Sequence, residues 1–313
     1  MAGKDLEIRK TAIVGMGALG LLYGSYIAGR CGKDAVTYVM DKERLERYRK
    51  ENFSVNGKTV DFPMTAAEDM RPVDLLIVAV KYTGLETALD VMKNCIDEET
   101  VIISVLNGIS SEEIIGERYG MEKIVYTVAQ GMDAMKFGNA LNYTQMGELH
   151  IGLPKKSGRR NLERLISYFD SIEMPYVEEK DILYRLWSKF MLNVGVNQTC
   201  MVYGTTYAGA LAEGEANRTM IAAMREAIAL ANMEGIPLSE KDINQYVDIL
   251  KTLNPEGTPS MGQDRINKRP SEVEMFAGTI KKLAKKHGIY VPANEYLYER
   301  VREIESAYVG KIL

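Results

Sequence analysis

The sequence predicts an α/β fold, with a parallel sheet covered by helices in the first part of the chain and helices alone in the second. In the first part, short and almost entirely apolar runs alternate with helical segments, as buried parallel strands do. In the second part, helical periodicity covers residues 181–199, 215–234, 239–252, 271–287 and 292–308. A chain of 313 residues is long enough for two domains. We place their boundary in the polar run E-E-K-D, which gives domains 1–178 and 179–313.

The composition narrows the class of protein. Hydrophobic residues make up 46% of the chain, charged residues make up 26%, and the net charge is -4. This balance is that of an ordinary globular protein, and its sign argues against a general affinity for nucleic acid or anionic membranes. No signal-peptide pattern opens the chain, and no apolar run approaches the ~20 residues that span a bilayer. We therefore expect a cytoplasmic protein whose ligands are small molecules.

Cysteine and histidine are too sparse for several kinds of chemistry. The cysteines Cys31, Cys95 and Cys200 and the histidines His150 and His287 lie far apart in the sequence. A metal site, a disulfide framework or a histidine-dependent triad needs several such residues brought together. We expect none of the three, so acid–base chemistry falls to Lys, Glu, Asp or Tyr.

The first apolar run, T-A-I-V, leads into the glycine-rich sequence G-M-G-A-L-G and then a helix. In a βαβ dinucleotide site, Gly15 would allow the tight turn, Gly17 would let the backbone approach a pyrophosphate, and Gly20 would let the helix pack on the strand. The phosphates would sit at the helix N-terminus. This predicts a Rossmann-type dinucleotide-binding domain, although a turn that merely joins strand to helix has the same pattern. The candidate nucleotide contacts are Gly15, Gly17, Ala18, Leu19 and Gly20.

An acidic residue follows the second predicted strand, Ala35–Met40. Asp41 lies about twenty residues beyond the last glycine of the motif, where a carboxylate hydrogen-bonds the ribose 2′-hydroxyl of NAD. Lys42 and Arg44 follow it, and either could meet the 2′-phosphate of NADP if Asp41 turned into solvent or capped the next helix. The residues themselves leave the choice of nucleotide open.

Two further strands end in polar residues. The strand over 74–81 ends at Lys81, and the strand over 101–108 ends at Asn107 and Gly108. Open α/β sheets bind ligands at the carboxyl ends of their strands, so both side chains are candidate contacts. Lys81 could equally be a solvated strand-end charge, and Asn107-Gly108 a turn-forming pair. The rest of this domain is predicted as a helix over 83–94, a strand over 124–129, extended segments to residue 153, a helix over 157–171 and a strand over 175–177.

The helix around residues 187–197 carries a polar seam. Lys189, Asn193 and Asn197 are spaced four residues apart, so they fall on one stripe of an otherwise apolar helix. A buried ammonium without a partner costs several kcal/mol. The seam is therefore satisfied by other internal polar groups, by water or by a ligand, and a cleft between two domains is a common place for that ligand.

The polar segment over 259–274 supplies further candidates. Ser271 and Glu274 fit the S-x-x-E capping box of a helix that starts there, which gives Glu274 a structural explanation. Glu272 and Ser260 have none as specific. Glu272 could still only favour the helix dipole, and Ser260 could be only a loop hydroxyl.

Taken together, these motifs resemble the ketopantoate reductase (2-dehydropantoate 2-reductase) family over almost the whole chain. The resemblance rests on the glycine turn, V-K ending at Lys81, L-N-G at Asn107, W-x-K-x-x-x-N-x-x-x-N along the polar seam, and S-M-x-Q-D from Ser260 followed by S-E at Glu272. It implies NAD(P)H-dependent reduction of 2-dehydropantoate to pantoate, a step of pantothenate and coenzyme A biosynthesis. Hydride addition builds negative charge on the ketone oxygen, which a nearby ammonium stabilises and can protonate.

The resemblance also implies roles for individual residues. Lys189 would polarise and protonate the ketone, and Glu272 would orient the site and contact cofactor or substrate. The substrate's carboxylate and hydroxyls would be held by Asn193, Asn197 and Ser260. The nicotinamide and its ribose would lie near Lys81 and Asn107, with Asn107 close to the substrate as well.

Two departures from the family pattern keep alternatives open. Many relatives have a basic residue for NADP where this chain has Asp41, so the resemblance favours NADP while Asp41 favours NAD. Tyr207 stands where the family has another asparagine, so a different branched 2-oxo acid stays open as the substrate. A non-catalytic dinucleotide sensor is the alternative from another class. The apolar helices could also form a homodimer interface.

Overall fold

The structure, a computed structural model, describes residues 7–155 and 158–309. The chain divides into two compact units between Ile182 and Leu183. The boundary expected from the sequence, between residues 178 and 179, lies four residues before this division.

Among the described residues, the first unit contains the strands and five α-helices. Its strands are β1 Thr11–Val14, β2 Val36–Met40, β3 Phe53–Val55, β4 Lys58–Val60, β5 Met64–Ala66, β6 Leu75–Val78, β7 Val101–Ser104, β8 Ile124–Gln130, β9 Met135–Phe137, β10 Ala140–Asn142, β11 Glu148–Gly152 and β12 Tyr176–Glu178. Its helices are α1 Ala18–Cys31, α2 Lys42–Tyr48, α3 Leu85–Val91, α4 Ser111–Tyr119 and α5 Arg159–Ser171. The predicted start of α5 at Ser157 lies outside the described residues.

The main sheet has eight strands in the order β12-β11-β8-β7-β6-β1-β2-β5. The six strands from β8 to β5 are parallel. They follow the order 3-2-1-4-5-6 of a Rossmann-type sheet. Strand β11 then runs antiparallel to β8, and β12 runs parallel to β11. The predicted α/β class is therefore confirmed, and the order in which successive strands are added reverses between β1 and β6.

The central strands are apolar because the sheet buries them on both faces. Every residue of β1, β6 and β7 is buried. Burial on both faces explains why these strands appear in the sequence as continuous apolar runs rather than as alternating patterns.

A second sheet of four short strands was not predicted. Its order is β4-β3-β10-β9, and each strand has three residues. Strands this short offer at most one repeat of the two-residue alternation, so periodicity does not distinguish them from loops.

Helices alone make up the second unit over the described residues 183–309. They are α6 Ile182–Tyr203, α7 Tyr207–Leu211, α8 Glu215–Met233, α9 Glu240–Thr252, α10 Ser260–Ile266, α11 Thr279–His287 and α12 Pro292–Val309. A π-helical turn, Glu274–Gly278, leads into α11. The five long predicted segments are present, whereas the short helices α7 and α10 were missed. None of the described helices is long and apolar enough to cross a lipid bilayer.

The predicted capping box at the start of the fourth segment is wrong. The backbone N–H of Ser271 donates to the Glu305 carboxylate at 2.7 Å, and the Ser271 hydroxyl accepts from the N–H of Val273 at 3.3 Å. The Glu274 carboxylate instead accepts from the Tyr298 hydroxyl at 2.6 Å. Helix α12 therefore supplies tertiary partners that replace the local pairing.

Candidate functional site

The glycine turn between β1 and α1 has two glycines that the packing of the chain requires. Gly15 has a φ of 111°, and a Cβ there would lie 2.4 Å from the carbonyl oxygen of Ala79. A Cβ on Gly20 would lie 2.0 Å from the carbonyl oxygen of Gly15. A Cβ on Gly17 would lie 3.6 Å from the Ala79 oxygen, which is ordinary contact. Steric contacts with the surrounding protein therefore require glycine at residues 15 and 20 but not at residue 17.

The N-terminus of α1 has the properties of an anion site. Gly17 is the exposed N-cap residue, Ala18 and Leu19 are partly exposed, and no side chain caps the helix. No acidic residue lies in the first turn. The first backbone N–H groups of a helix have no partner within it and carry partial positive charge, so they attract phosphate.

Asp41 lies at the end of β2, beside β1 in the sheet. Its Oδ1 accepts from the N–H of Arg44 at 2.7 Å and so caps α2. Its Oδ2 lies 3.9 Å from the Arg44 Nε, and the side chain keeps 44% of its surface exposed. Lys42 forms an ion pair with Glu68. Asp41 thus caps the next helix, which is the arrangement under which Lys42 or Arg44 could meet a 2′-phosphate. A phosphate would still have to displace Glu68 from Lys42 and Asp41 from Arg44, whereas the half-exposed second oxygen of Asp41 can accept from a hydroxyl.

Lys81 and Asn107 follow two neighbouring parallel strands. Lys81 comes after β6 and is exposed, while Asn107 is partly buried in the loop between β7 and α4. Because β1, β6 and β7 are adjacent and parallel, both residues belong to the same sheet edge as the glycine turn. The first unit therefore brings together the positions predicted to bind the nucleotide.

A buried carboxyl group that the sequence analysis missed supports the loop of Asn107. The N–H of Leu106 donates to the Ser104 hydroxyl at 3.4 Å, Ser104 donates to Ser111 at 2.8 Å, and Ser111 donates to Glu112 Oε2 at 2.8 Å. Glu112 is 1% exposed, and burial raises its pKa to about 7. Its position in an E-E pair on a short helix gives no sequence signal, because such pairs usually face solvent.

In the second unit, the two seam asparagines and the predicted serine form one hydrogen-bonded chain. Asn197 Oδ1 accepts from the Ser260 hydroxyl at 2.9 Å and from the N–H of Met261 at 3.3 Å. Asn197 Nδ2 donates to Asn193 Oδ1 at 3.0 Å. A backbone N–H can only donate, so Met261 fixes the orientation of both amides. Asn193 consequently directs its NH₂ group away from Asn197, as a donor.

Lys189 lies one helical turn before Asn193 on α6. Burial lowers the pKa of Lys189 to about 8, and the negative charge of Glu272 acts in the opposite direction. Glu272 is partly buried and immediately precedes Val273 and the π-helical turn. The unit therefore holds an ammonium that can release its proton near neutral pH, together with a carboxylate that favours its charged form.

Tyr207 packs beside the segment that leads to Ser260. Its N–H donates to the carbonyl oxygen of Gly257 at 2.9 Å, and a Cβ on Gly257 would lie 3.2 Å from the tyrosine ring. Burial raises the pKa of Tyr207 to about 12. The phenol therefore stays protonated at neutral pH and presents a neutral hydroxyl.

Metal-ligating residues do not cluster in the part of the chain that the structure describes. Within residues 7–155 and 158–309, no group of three or more His, Cys, Asp or Glu side chains is placed to hold a metal ion. The polar side chains described above are Lys, Glu, Asn and Ser, which can exchange hydrogen bonds and protons with an organic acid.

The sheet order and the glycine turn define the first unit as a Rossmann-type nucleotide-binding domain. Residues 11–156 match the family model described as Ketopantoate reductase PanE/ApbA, and residues 181–305 match the one described as Ketopantoate reductase PanE/ApbA C terminal. The chain belongs to the ketopantoate reductase family, which confirms the resemblance seen in its motifs.

Individual relatives share the full length at low identity. A 2-dehydropantoate 2-reductase of Aquifex aeolicus is 27% identical over 310 residues, which cover 95% of this chain and 97% of the relative. The structure of D-mandelate dehydrogenase with NADH and anilino(oxo)acetate has a TM-score of 0.83 and 23% identity, covering 96% of this chain and 99% of that one. A ketopantoate reductase of Staphylococcus aureus, described as dimeric, has a TM-score of 0.78 and 20% identity at the same coverage. At these identities the two structures establish the fold.

Proposed function

We propose that the protein reduces a 2-oxo acid with a nicotinamide nucleotide, that its substrate is 2-dehydropantoate, and that it acts as a homodimer like its dimeric relative. The observation that carries the reaction is Lys189, whose pKa burial lowers to about 8, one turn from the oriented amide of Asn193. The full-length relative in Aquifex aeolicus is a 2-dehydropantoate 2-reductase, which supports the choice of substrate.

Lys189 supplies the proton of the proposed reaction. When bound, the reduced nucleotide supplies a hydride to the ketone carbon. Lys189 Nζ donates its proton to the ketone oxygen, so the product is an alcohol and the lysine becomes neutral until water reprotonates it. Glu272 stabilises the ammonium and so keeps Lys189 ready to donate. A pKa near 8 leaves most of the lysine protonated at neutral pH and makes it a stronger acid than an exposed lysine.

The asparagine chain is proposed to hold the substrate. The NH₂ group of Asn193 points away from Asn197, so it can donate to a carboxylate or hydroxyl without adding a charge. Ser260 remains exposed while its hydroxyl donates to Asn197, so its oxygen can still accept from a substrate hydroxyl. Asn197 connects the two and fixes their orientation.

The first unit is proposed to bind NADH. Gly15, Gly17 and Gly20 shape the turn, and the N–H groups at Ala18 and Leu19 would donate to the pyrophosphate. Asp41 would accept from the ribose 2′-hydroxyl through its second oxygen, while Lys42 is already paired with Glu68. Lys81 and Asn107 would lie near the nicotinamide and its ribose, with Asn107 close to the substrate as well.

A different branched 2-oxo acid is the second candidate substrate. Tyr207 stands where the family pattern has an asparagine, and the D-mandelate dehydrogenase structure contains anilino(oxo)acetate. A dinucleotide sensor is disfavoured, because the desolvation of Lys189 costs folding free energy that a sensor has no reason to retain.

The test is nucleotide oxidation by the wild-type protein and by Lys189→Ala. NADH and NADPH absorbance would be followed with 2-dehydropantoate and with a panel of other 2-oxo acids. We expect the substitution to lower kcat by about 10²–10⁴-fold because it removes the proton donor, with nucleotide affinity unchanged. Lys251→Ala is the matched control, since Lys251 lies in the same unit but is exposed and paired with Asp248.

Two outcomes would contradict the proposal. Near-normal turnover by Lys189→Ala would remove the lysine from the mechanism. Nucleotide binding by the wild type without oxidation, across the whole panel of acids, would favour the sensor.

A further inference from the structure

We propose that Gln198 is a positioning residue: it diverts the backbone N–H of Ala277 out of the helical ladder and thereby sets where Glu272 stands relative to Lys189. The inference rests on the proposed roles of Lys189 and Glu272. It concerns the second unit alone.

The π-helical turn owes its geometry to this diversion. The Ala277 N–H donates to Gln198 Oε1 at 3.1 Å. In an α-helix it would donate to the carbonyl oxygen of Val273, four residues back. That oxygen instead accepts from Gly278, five residues along, at 3.0 Å. A side chain that enters the backbone ladder is a recognised cause of such a local change, and π-turns are frequent at functional sites.

The Gln198 amide is fully buried and held in one orientation. Gln198 and Asn294 are both 0% exposed. Gln198 Nε2 donates to the carbonyl oxygen of Val194 at 2.7 Å and to Asn294 Oδ1 at 3.2 Å. Asn294 Nδ2 in turn donates to Glu226 at 2.8 Å. Because the amide donates at one end and accepts at the other, its oxygen must face Ala277.

Glu272 is hydrogen-bonded directly into this turn. Its carbonyl oxygen accepts from the N–H groups of Met275 at 3.0 Å and Phe276 at 3.1 Å. If the turn reverted to α-helix, the residues before it would rotate by about 100° relative to α11 for the one residue gained or lost. The Glu272 carboxylate would then move relative to Lys189, whose pKa it raises against the effect of burial.

Helix α6 consequently carries both the proposed proton donor and the residue that positions the carboxylate of Glu272. Lys189 and Gln198 are both on α6. The hydrogen bond from Ala277 ties the later segment to that helix and so links the position of Glu272 to the helix that carries Lys189.

The experiment compares Gln198→Met with Asn294→Leu. Methionine keeps the volume and removes the acceptor for Ala277, whereas Asn294→Leu disturbs the same buried network and leaves that acceptor in place. The pKa of Lys189 would be measured from the pH dependence of its acetylation by acetic anhydride, followed by mass spectrometry. We expect Gln198→Met to lower this pKa by at least about half a unit, because the stabilising carboxylate has moved, and kcat by about tenfold with KM for the nucleotide unchanged.

We expect Asn294→Leu to lower thermal stability and leave the pKa of Lys189 in place. An unchanged pKa in Gln198→Met, or an equal shift in both variants, would show that the network is only structural. If Gln198→Met does not fold, Gln198→Leu replaces it, and Gln198→Glu, which keeps both acceptor and donor when protonated, is its matched control. A pKa of Lys189 that is lowered in Gln198→Leu and native in Gln198→Glu supports the proposal, and the same pKa in both variants overturns it. Acetylation needs no turnover, so a protein that reduces no 2-oxo acid would refute the proposed function without deciding the role of Gln198.

Discussion

Gly20 in the first unit and Lys189 in the second are both candidate site residues, but their effects on the stability of the fold are opposite. A Cβ on Gly20 would lie 2.0 Å from a backbone oxygen, so the fold needs this glycine with or without a nucleotide. Lys189 loses hydration on folding, which lowers its pKa and costs free energy. A residue that the fold requires is weak support for function. A residue that destabilises the fold is strong support for function, because function then explains why it is retained.

The largest change in stability is expected in the glycine turn, where Gly20→Ala is compared with Gly17→Ala. The alanine Cβ at residue 20 collides with the backbone of Gly15, so we expect a loss of several kcal/mol in the free energy of unfolding, enough to prevent folding. At residue 17 the φ of -72° suits alanine and the space is open, so we expect a change within about 1 kcal/mol. Urea denaturation measures both.

The same pair separates the fold from the ligand. Gly17→Ala places a methyl group where the pyrophosphate should approach, so we expect about tenfold weaker nucleotide binding by calorimetry. Native affinity in that folded variant would mean that Gly17 is not a phosphate contact.

Lys189→Met tests the other side of the comparison. Methionine has a similar length and no charge to desolvate, and Glu272 is only partly buried, so water can solvate its carboxylate when the ammonium is absent. We therefore expect the variant to be more stable than the wild type by about 2 kcal/mol at pH 7, and inactive. The folded-state pKa of Lys189 lies below its unfolded value of 10.5. Between about pH 8 and 10.5 the unfolded chain therefore binds more protons than the folded one, and wild-type stability rises with pH.

The advantage of Lys189→Met should accordingly be full below pH 8 and shrink as the pH rises through that window. Denaturation midpoints at several pH values check it. Lys251→Met, at an exposed site, should change stability little at any pH. A destabilised Lys189→Met would show that the lysine serves the fold.

The same contrast explains what the sequence could predict. Strands β1, β6 and β7 were found because burial on both faces makes them continuous apolar runs, and the Lys189 seam was found because polar residues interrupt an apolar helix. Gln198 was missed because it follows Asn197 directly, and its partner Ala277 lies 79 residues away. The capping box at Ser271 failed for the same reason, since its partner Glu305 comes from a distant helix.

Asp41 is used both by the fold and by the proposed nucleotide site. Its substitutions therefore have the smallest expected effects on stability and binding, but they separate the two roles. One oxygen caps α2, a role the fold uses, and the other is proposed to meet the ribose. Asp41→Asn keeps an acceptor for the Arg44 N–H and removes only the charge. We expect stability to stay within about 0.5 kcal/mol and the ratio of NADH to NADPH affinity to fall by less than about tenfold, because an amide repels a 2′-phosphate less than a carboxylate does.

Asp41→Ala removes the cap as well, so we expect it to shift nucleotide preference in the same direction and to cost about 1 kcal/mol in addition. Asp90→Asn, which removes an exposed carboxylate paired with Arg118, is the control for net charge. If Asp41→Asn left the nucleotide ratio unchanged while Asp41→Ala lowered stability, the aspartate would serve only the helix. It would then join Gly20 as a residue that the fold alone explains, and the proposal of NADH would lose its support.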